Sequence, residues 1–219
     1  EPNFGLITNI GREHLEYFGD LAGVGRAELE LFDYLNAHNG TALVNIDDPT
    51  LRAKKWDNVR VVTYGFSEGA KVHGVHATIG EDGCSAFSVD GVSMRVQIPG
   101  AHHALNALAA VAVGLQFGVS LENARAGIES CRAVSKRMEV ERIAGVTFIN
   151  DAYNANPESM RAALDSLMAM PVAKGSRRIA VLADMLEMGA ASATSHREIG
   201  EKIIQLKVDA LFAFGTAAR

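Results

Sequence analysis

The 219-residue chain has only two cysteines, Cys84 and Cys131, far apart and outside any C-x-x-C pattern. Neither a zinc site nor a disulfide framework is suggested, and a reducing cytoplasm is the expected compartment. Positive charge is not in surplus: 21 Lys and Arg against 26 Asp and Glu leave a formal net charge of -5. That balance argues against a nucleic-acid binder, which carries a basic excess. Long apolar runs are also lacking. The longest, Ala107 to Leu115, is about half of the roughly 20 residues that a spanning helix requires, so it reads as a buried core helix and no membrane partner is expected. Several catalytic signatures are missing as well. There is no G-x-x-x-x-G-K-[ST] phosphate loop, since Lys174-Gly175-Ser176 has the wrong order, and Gly23-Val24-Gly25 lacks the third glycine of a dinucleotide fingerprint. No G-x-S-x-G nucleophile elbow occurs. The chain opens Glu1-Pro2-Asn3-Phe4 without an initiator methionine or a signal-like stretch, and ends just after a strand-like run. It is therefore expected to be a piece of a longer protein.

What is present reads as α/β. A hydrophobic share of 48% against 21% charged supports a packed core and excludes disorder. Apolar runs at Phe4 to Asn9, Thr41 to Ile46 and Val59 to Tyr64 are strand-like and alternate with helical patterns. The clearest of these is Leu21 to Leu35, where Leu21, Val24, Leu31, Tyr34 and Leu35 recur at helical spacing. Such alternation implies a parallel sheet with right-handed crossovers. Between Val72 and Ile98 the texture changes to an antiparallel meander, with Asp90-Gly91 as a hairpin signal. A buried helix over Ala104 to Phe117 and a second over Leu121 to Ser130 follow, the latter with Ser120 as N-cap. A fresh unit then begins near Val134 to Met138. It runs as strand Glu139 to Ile143, a turn at Gly145, strand Val146 to Asp151, a helix opened by Pro157, strand Ile179 to Asp184, helix Ser195 to Leu206 and strand Ala210 to Phe214, completing a β-α-β-α-β run.

Ligands in parallel α/β sheets sit at the carboxyl ends of strands. Three such places are unusually polar. Thr8 to Glu16 puts an imidazole, His14, among carboxylates, which suits a divalent ion or an ordinary surface loop. Asn150 to Pro157 combines amides, a carboxylate and a helix N-terminus, which suits a ribose or phosphate, or plain capping by Asn156. Asp184 to Gly189 is a third polar exit, or a simple β-α connection. His102, His103 and Asn106 form a smaller cluster at the start of the buried helix, readable as hydrogen-bonded structure or as ligands.

These places resemble, in order, the motifs of the Mur ligase family of peptidoglycan synthesis. The carrying segments are I-T-N-I-G-R-E-H-L-E-Y-F-G (Ile7 to Gly19), P-G-A-H-H-A-L-N-A-L-A-A (Pro99 to Ala110), S-K-R-M-E (Ser135 to Glu139), N-D-A-Y-N-A-N-P-E-S-M (Asn150 to Met160) and L-A-D-M-L-E-M-G (Leu182 to Gly189), followed by His196. The resemblance implies a partial central ATP-binding domain over residues 1–136, a parallel sheet with an antiparallel meander. It implies the first part of a Rossmann-like C-terminal domain over residues 137–219. It implies ATP and Mg2+ as cofactors, and ligation of D-alanyl-D-alanine to UDP-N-acetylmuramoyl-tripeptide through an acyl phosphate. The N-A-N-P form favours that specificity over a folylpolyglutamate synthase. A non-catalytic nucleotide-binding module is the remaining alternative. With the family's phosphate loop and N-terminal domain not in this sequence, the chain by itself is expected to be inactive.

Carried over position by position, the resemblance assigns His14 to the metal site, Asn106 to the adenine, Arg137 to the nucleotide at the interdomain hinge, and Asp151 to the ribose or to domain closure. Tyr153, Asn154 and Asn156 fall in the cleft between nucleotide and incoming dipeptide. Glu28 stands where most members carry a carbamylated lysine near magnesium. It keeps the negative charge and the oxygen donors that magnesium prefers, but ends on the order of 3 to 4 Å short by ordinary bond lengths. Glu28 is therefore expected to serve the metal through a water or a shifted helix, or else to be a surface residue of an amphipathic helix.

Overall fold

A computed structural model describes residues 1–55 and 57–218. The first unit is one six-stranded sheet in which strands lie in chain order: β1 (Phe4–Ile7), β2 (Thr41–Asn45), β3 (Arg60–Gly65), β4 (Val72–Ile79), β5 (Cys84–Val89) and β6 (Val92–Pro99). β1 to β4 pair parallel, and β4 to β6 antiparallel, so β4 carries the change of direction. The helices are α1 (Leu15–Phe18), α2 (Leu21–Ala37), α3 (Pro49–Ala53), α4 (His102–Gln116) and α5 (Leu121–Ser130).

The side-chain alternation of a strand decides how the sheet is covered. In β2, Leu43 faces α4 together with Val62, Tyr64, Phe87, Met94, Leu108 and Val111, whereas Ala42 and Val44 face α2 and α3 with Phe32, Leu35 and Leu51. All five β2 residues are buried, as a central parallel strand requires. Asp20 caps α2 by accepting the Gly23 N–H at 2.7 Å, Asp48 caps α3, and Ser120 caps α5. Each satisfies a backbone donor that the helix itself cannot.

The second unit contains β7 (Glu139–Ile143), β8 (Val146–Asn150), α6 (Pro157–Ala169), β9 (Ile179–Ala183), a 3-10 turn (Gly189–Ala191), α7 (Ser192–Leu206) and β10 (Ala210–Phe214). Asn156 and Ser159 form a reciprocal capping box at the head of α6. β9 and β10 pair parallel. The order of elements is the expected one, but β8 pairs antiparallel with β7 and is not joined to β9 among the described residues. The turn explains the hairpin. Ala144 and Gly145 both have positive φ (48° and 80°), the geometry of the two-residue hairpins that match strand twist, and so short a loop closes at little entropic cost.

The second unit's apolar cluster combines Met160, Leu164, Ala180, Met185, Met188, Ile199 and Ile203 with two residues from the first unit, Leu15 and Val24. No described helix is long and apolar enough to cross a membrane.

Candidate functional site between the two units

The loop after β1 is fixed by polar groups at the carboxyl ends of β1 to β3. Asn45 Nδ2 donates to Thr8 O at 2.7 Å, and Ile10 N–H donates to Asp48 Oδ2 at 2.8 Å. The other Asp48 oxygen accepts the Leu51 N–H at 2.9 Å. Asp47 accepts the Phe66 and Ser67 N–H groups at 2.7 and 2.8 Å. Burial, and then the charges of Asp47 and Asp48, push the Tyr64 phenol above its ordinary pKa. Sequence reasoning missed this support. The one local signal is the pair Asp48-Pro49, a helix-start pattern.

From this anchored base the loop reaches the second unit. Arg12 Nε donates to Glu158 Oε1 at 2.8 Å, and Arg12 Nη1 donates to Glu198 Oε2 at 2.9 Å. Arg161 shares Glu198 at 2.5 Å. The Arg12 pKa is raised: partial burial opposes this, and the hydrogen bonds and charges of Glu158 and Glu198 outweigh it. Hydrogen bonding to Arg12 is in turn the main reason that the Glu198 carboxyl lies below its usual range. His14 Nδ1 pairs with Glu187 Oε2, and the Glu16 N–H donates to Glu187 O at 2.9 Å. Residues 8–16 therefore touch Glu158, the residue after the second polar place, and the third polar place, residues 184–189.

The segment joining the units is also braced. Met138 N–H donates to Asp151 Oδ1 at 3.0 Å, and Tyr153 N–H donates to Lys136 O at 3.1 Å. The Arg137 guanidinium lies over the Tyr153 ring, 3.7 Å from its centroid, a cation–π contact. Burial raises the Asp151 pKa, and the Met138 N–H, His102 and Arg137 act against it. Asn154 is exposed, and its Oδ1 accepts the N–H of Ala155 at 2.9 Å. Asn106 is exposed on α4, one turn beyond His102 and His103. The His102 and His103 rings lie 4.0 Å apart. Burial, then the neighbouring His102, pushes His103 down to about 4. Its Nε2 is buried without a hydrogen-bond partner among the described residues.

The loop of residues 184–189 is held from both sides. Asp184 accepts the N–H groups of Thr216, Ala217 and Ala218 at 2.7 to 3.0 Å, which lowers its pKa. His196 Nε2 accepts the Met185 N–H at 2.9 Å, while its Nδ1 faces Ser192 O at 2.8 Å. Both contacts are served by the Nδ1–H tautomer.

Glu28 lies on α2, exposed and without a polar partner among the described residues. No group of three or more His, Cys, Asp or Glu side chains that could hold a metal occurs among the described residues. His14 and Glu28 thus do not by themselves make up the oxygen-rich shell that magnesium prefers.

Comparison with known proteins agrees with this layout. The family profile described as Mur ligase middle domain matches residues 1–114, and the one described as Mur ligase, glutamate ligase domain matches residues 136–219. The chain belongs to the Mur ligase family. The UDP-N-acetylmuramoyl-tripeptide--D-alanyl-D-alanine ligase of Bacillus subtilis is 32% identical over 98% of this chain and 46% of its own length. The enzyme of that name from Escherichia coli is 32% identical over 98% of this chain and 48% of its own length. Among solved structures, MurF from Acinetobacter baumannii superposes with a TM-score of 0.84 at 29% identity, covering 99% of this chain and 48% of its own. MurF ligase from Thermotoga maritima, crystallised with ADP, also gives a TM-score of 0.84, at 23% identity, and covers 99% of this chain and 50% of its own. The chain spans about half the length of the curated relatives it matches.

Proposed function

We propose that this chain is the part of an ATP-dependent ligase that joins D-alanyl-D-alanine to UDP-N-acetylmuramoyl-tripeptide, in the cytoplasm. The observation that carries this reading is the meeting of the three motif-bearing loops at strand ends between two units, in a chain whose similar relatives bear that enzyme's name. On this reading residues 1–136 belong to the nucleotide-binding domain, and residues 137–219 to the domain that brings the dipeptide.

Magnesium bound with ATP would supply neutralisation of charge on the phosphates. A carboxylate oxygen of the tripeptide attacks the γ-phosphorus and ADP leaves. The dipeptide amine then attacks the acyl carbon of the acyl phosphate, loses a proton, and inorganic phosphate departs. Such chemistry rests on positioning and charge neutralisation. Asn106 reads as a hydrogen-bonding partner of the adenine. Arg137 and Tyr153, already stacked, read as a planar cationic platform for the nucleotide. Asp151 braces the joining segment through the Met138 N–H, and its second oxygen is available to a ribose hydroxyl. Asn154 reads as a contact for the dipeptide. His14 and Glu28 would contribute to the phosphate and metal end of the cleft without making up a magnesium site by themselves.

The test is phosphate release by the full-length protein. It is expected with ATP, UDP-N-acetylmuramoyl-tripeptide and D-alanyl-D-alanine together, and it should fall to background when the dipeptide or tripeptide is omitted. Release with folate and glutamate in their place would assign the chain to another ligase. Nucleotide binding without release under any of these mixtures would make it a binding module.

A further inference from the structure

We infer that residues 12–16 form a docking latch that holds the second unit against the first, with Leu15 as its knob and Arg12 and Glu187 as its clamps. Leu15 is a first-unit residue, yet it is only 5% exposed, and the cluster that buries it is built mainly from the second unit, including Met160, Met185, Met188 and Ile199. α1, which it opens, has four residues, far too few to hold itself together. Its position is therefore set by what it docks into.

Charge and backbone both fit the docking. The second unit presents three carboxylates around the apolar cluster, Glu158, Glu187 and Glu198, and the loop presents Arg12 to two of them and His14 to the third. The Glu16 N–H closes on Glu187 O. His14 and Glu187 both have left-handed backbone, with φ of 53° and 58°. Non-glycine residues keep that conformation only where their surroundings enforce it, and here each is held by the other. Gly189 also has positive φ (50°), and a Cβ there would lie 3.0 Å from the Glu16 Cα, so any side chain there would be strained and would press on α1.

The latch concerns how the halves of the proposed cleft are held together. It is testable on this chain without turnover, so its failure is distinct from failure of the ligase reading. With Cys131→Ser to remove the exposed thiol, leaving buried Cys84, spin labels at S93C and Q205C, both exposed positions, report the distance between the units by electron–electron double resonance. The parent should give one narrow distance. Leu15→Ser should raise the undocked population on the order of tenfold or more, seen as a second, broader distance. Leu15→Met should keep the narrow one. If Leu15→Ser does not fold, Arg12→Gln combined with Glu187→Gln decides. That pair leaves the apolar plug intact, removes the three ion pairs between the units, and should broaden the distribution; about 1 M NaCl should broaden the parent's in the same direction by screening those pairs. A single narrow distance in the folded Leu15→Ser variant, or in the Arg12 and Glu187 double variant, overturns the latch.

Discussion

In the six-stranded sheet, Leu43, Val62 and Phe87 lie under α4, and Ala42 and Val44 lie under α2 and α3. In the β9–β10 pair, by contrast, Val181 and Phe212 stand opposite each other at 63% and 62% exposure. Parallel strands are normally covered on both faces. The first unit meets that condition. Among the described residues of the second, cover lies on the face under α6 and α7, where Leu15 and Val24 of its neighbour join the cluster. In this chain the larger apolar core lies in the first unit, and the second meets it through a small apolar plug and ion pairs. For a site whose polar loops come from both units, the strength of that tie decides how much of the time the site is assembled.

Substitutions can break or sharpen this contrast. Leu108→Ala removes a fully buried side chain between α4 and the sheet, and is expected to cost about 3 to 5 kcal/mol in urea unfolding. Leu164→Ala, in the more open cluster of the second unit, should cost less, about 2 to 3 kcal/mol, because a partly covered site relaxes more easily. Equal losses would erase the distinction.

A third test uses pH. His103 titrates near 4 in the folded chain, against about 6.5 when unfolded. As pH falls through 6.5 the unfolded state takes up a proton that the folded state refuses until near 4, so stability is lost across that window. His103→Gln should flatten the fall in urea midpoint between pH 7.5 and 4.5. An unchanged fall would assign the acid sensitivity elsewhere. Asn156→Ala removes the α6 capping box and should cost about 1 kcal/mol, read as a lower melting temperature. Smallest is Tyr153→Leu, which loses the stack with Arg137. About 0.5 to 1 kcal/mol is expected, measured as a coupling energy in a cycle with Arg137→Gln.

Local pattern made most of the fold legible. Period-two and helical spacing, and caps such as Ser120 and Asn156, located the strands and helices to within a few residues, because each signal lies within one element. The turn at Gly145 made the β7–β8 hairpin legible, but not that β8 stays apart from β9, since a β-α-β order does not say which edge a strand joins. The three polar loops could be read as candidate site segments from their position after strands. Their meeting could not. Arg12 and Glu158 are 146 residues apart, and a charge before a histidine reads as a solvated loop until a tertiary fold brings carboxylates to it. Glu28 shows the reverse. Its chemistry suited a role near magnesium, but α2 leaves it exposed, and nothing in helical periodicity fixes its reach.

The dependence of the second unit on the first is the central claim, and hydrogen exchange read by mass spectrometry on the native chain and Leu15→Ala tests it most directly. The expected result is faster exchange in peptides covering α6 and α7, on the order of tenfold or more as a buried knob is lost, with α4 unchanged. Equal acceleration in α4, or none in α6 and α7, would contradict it.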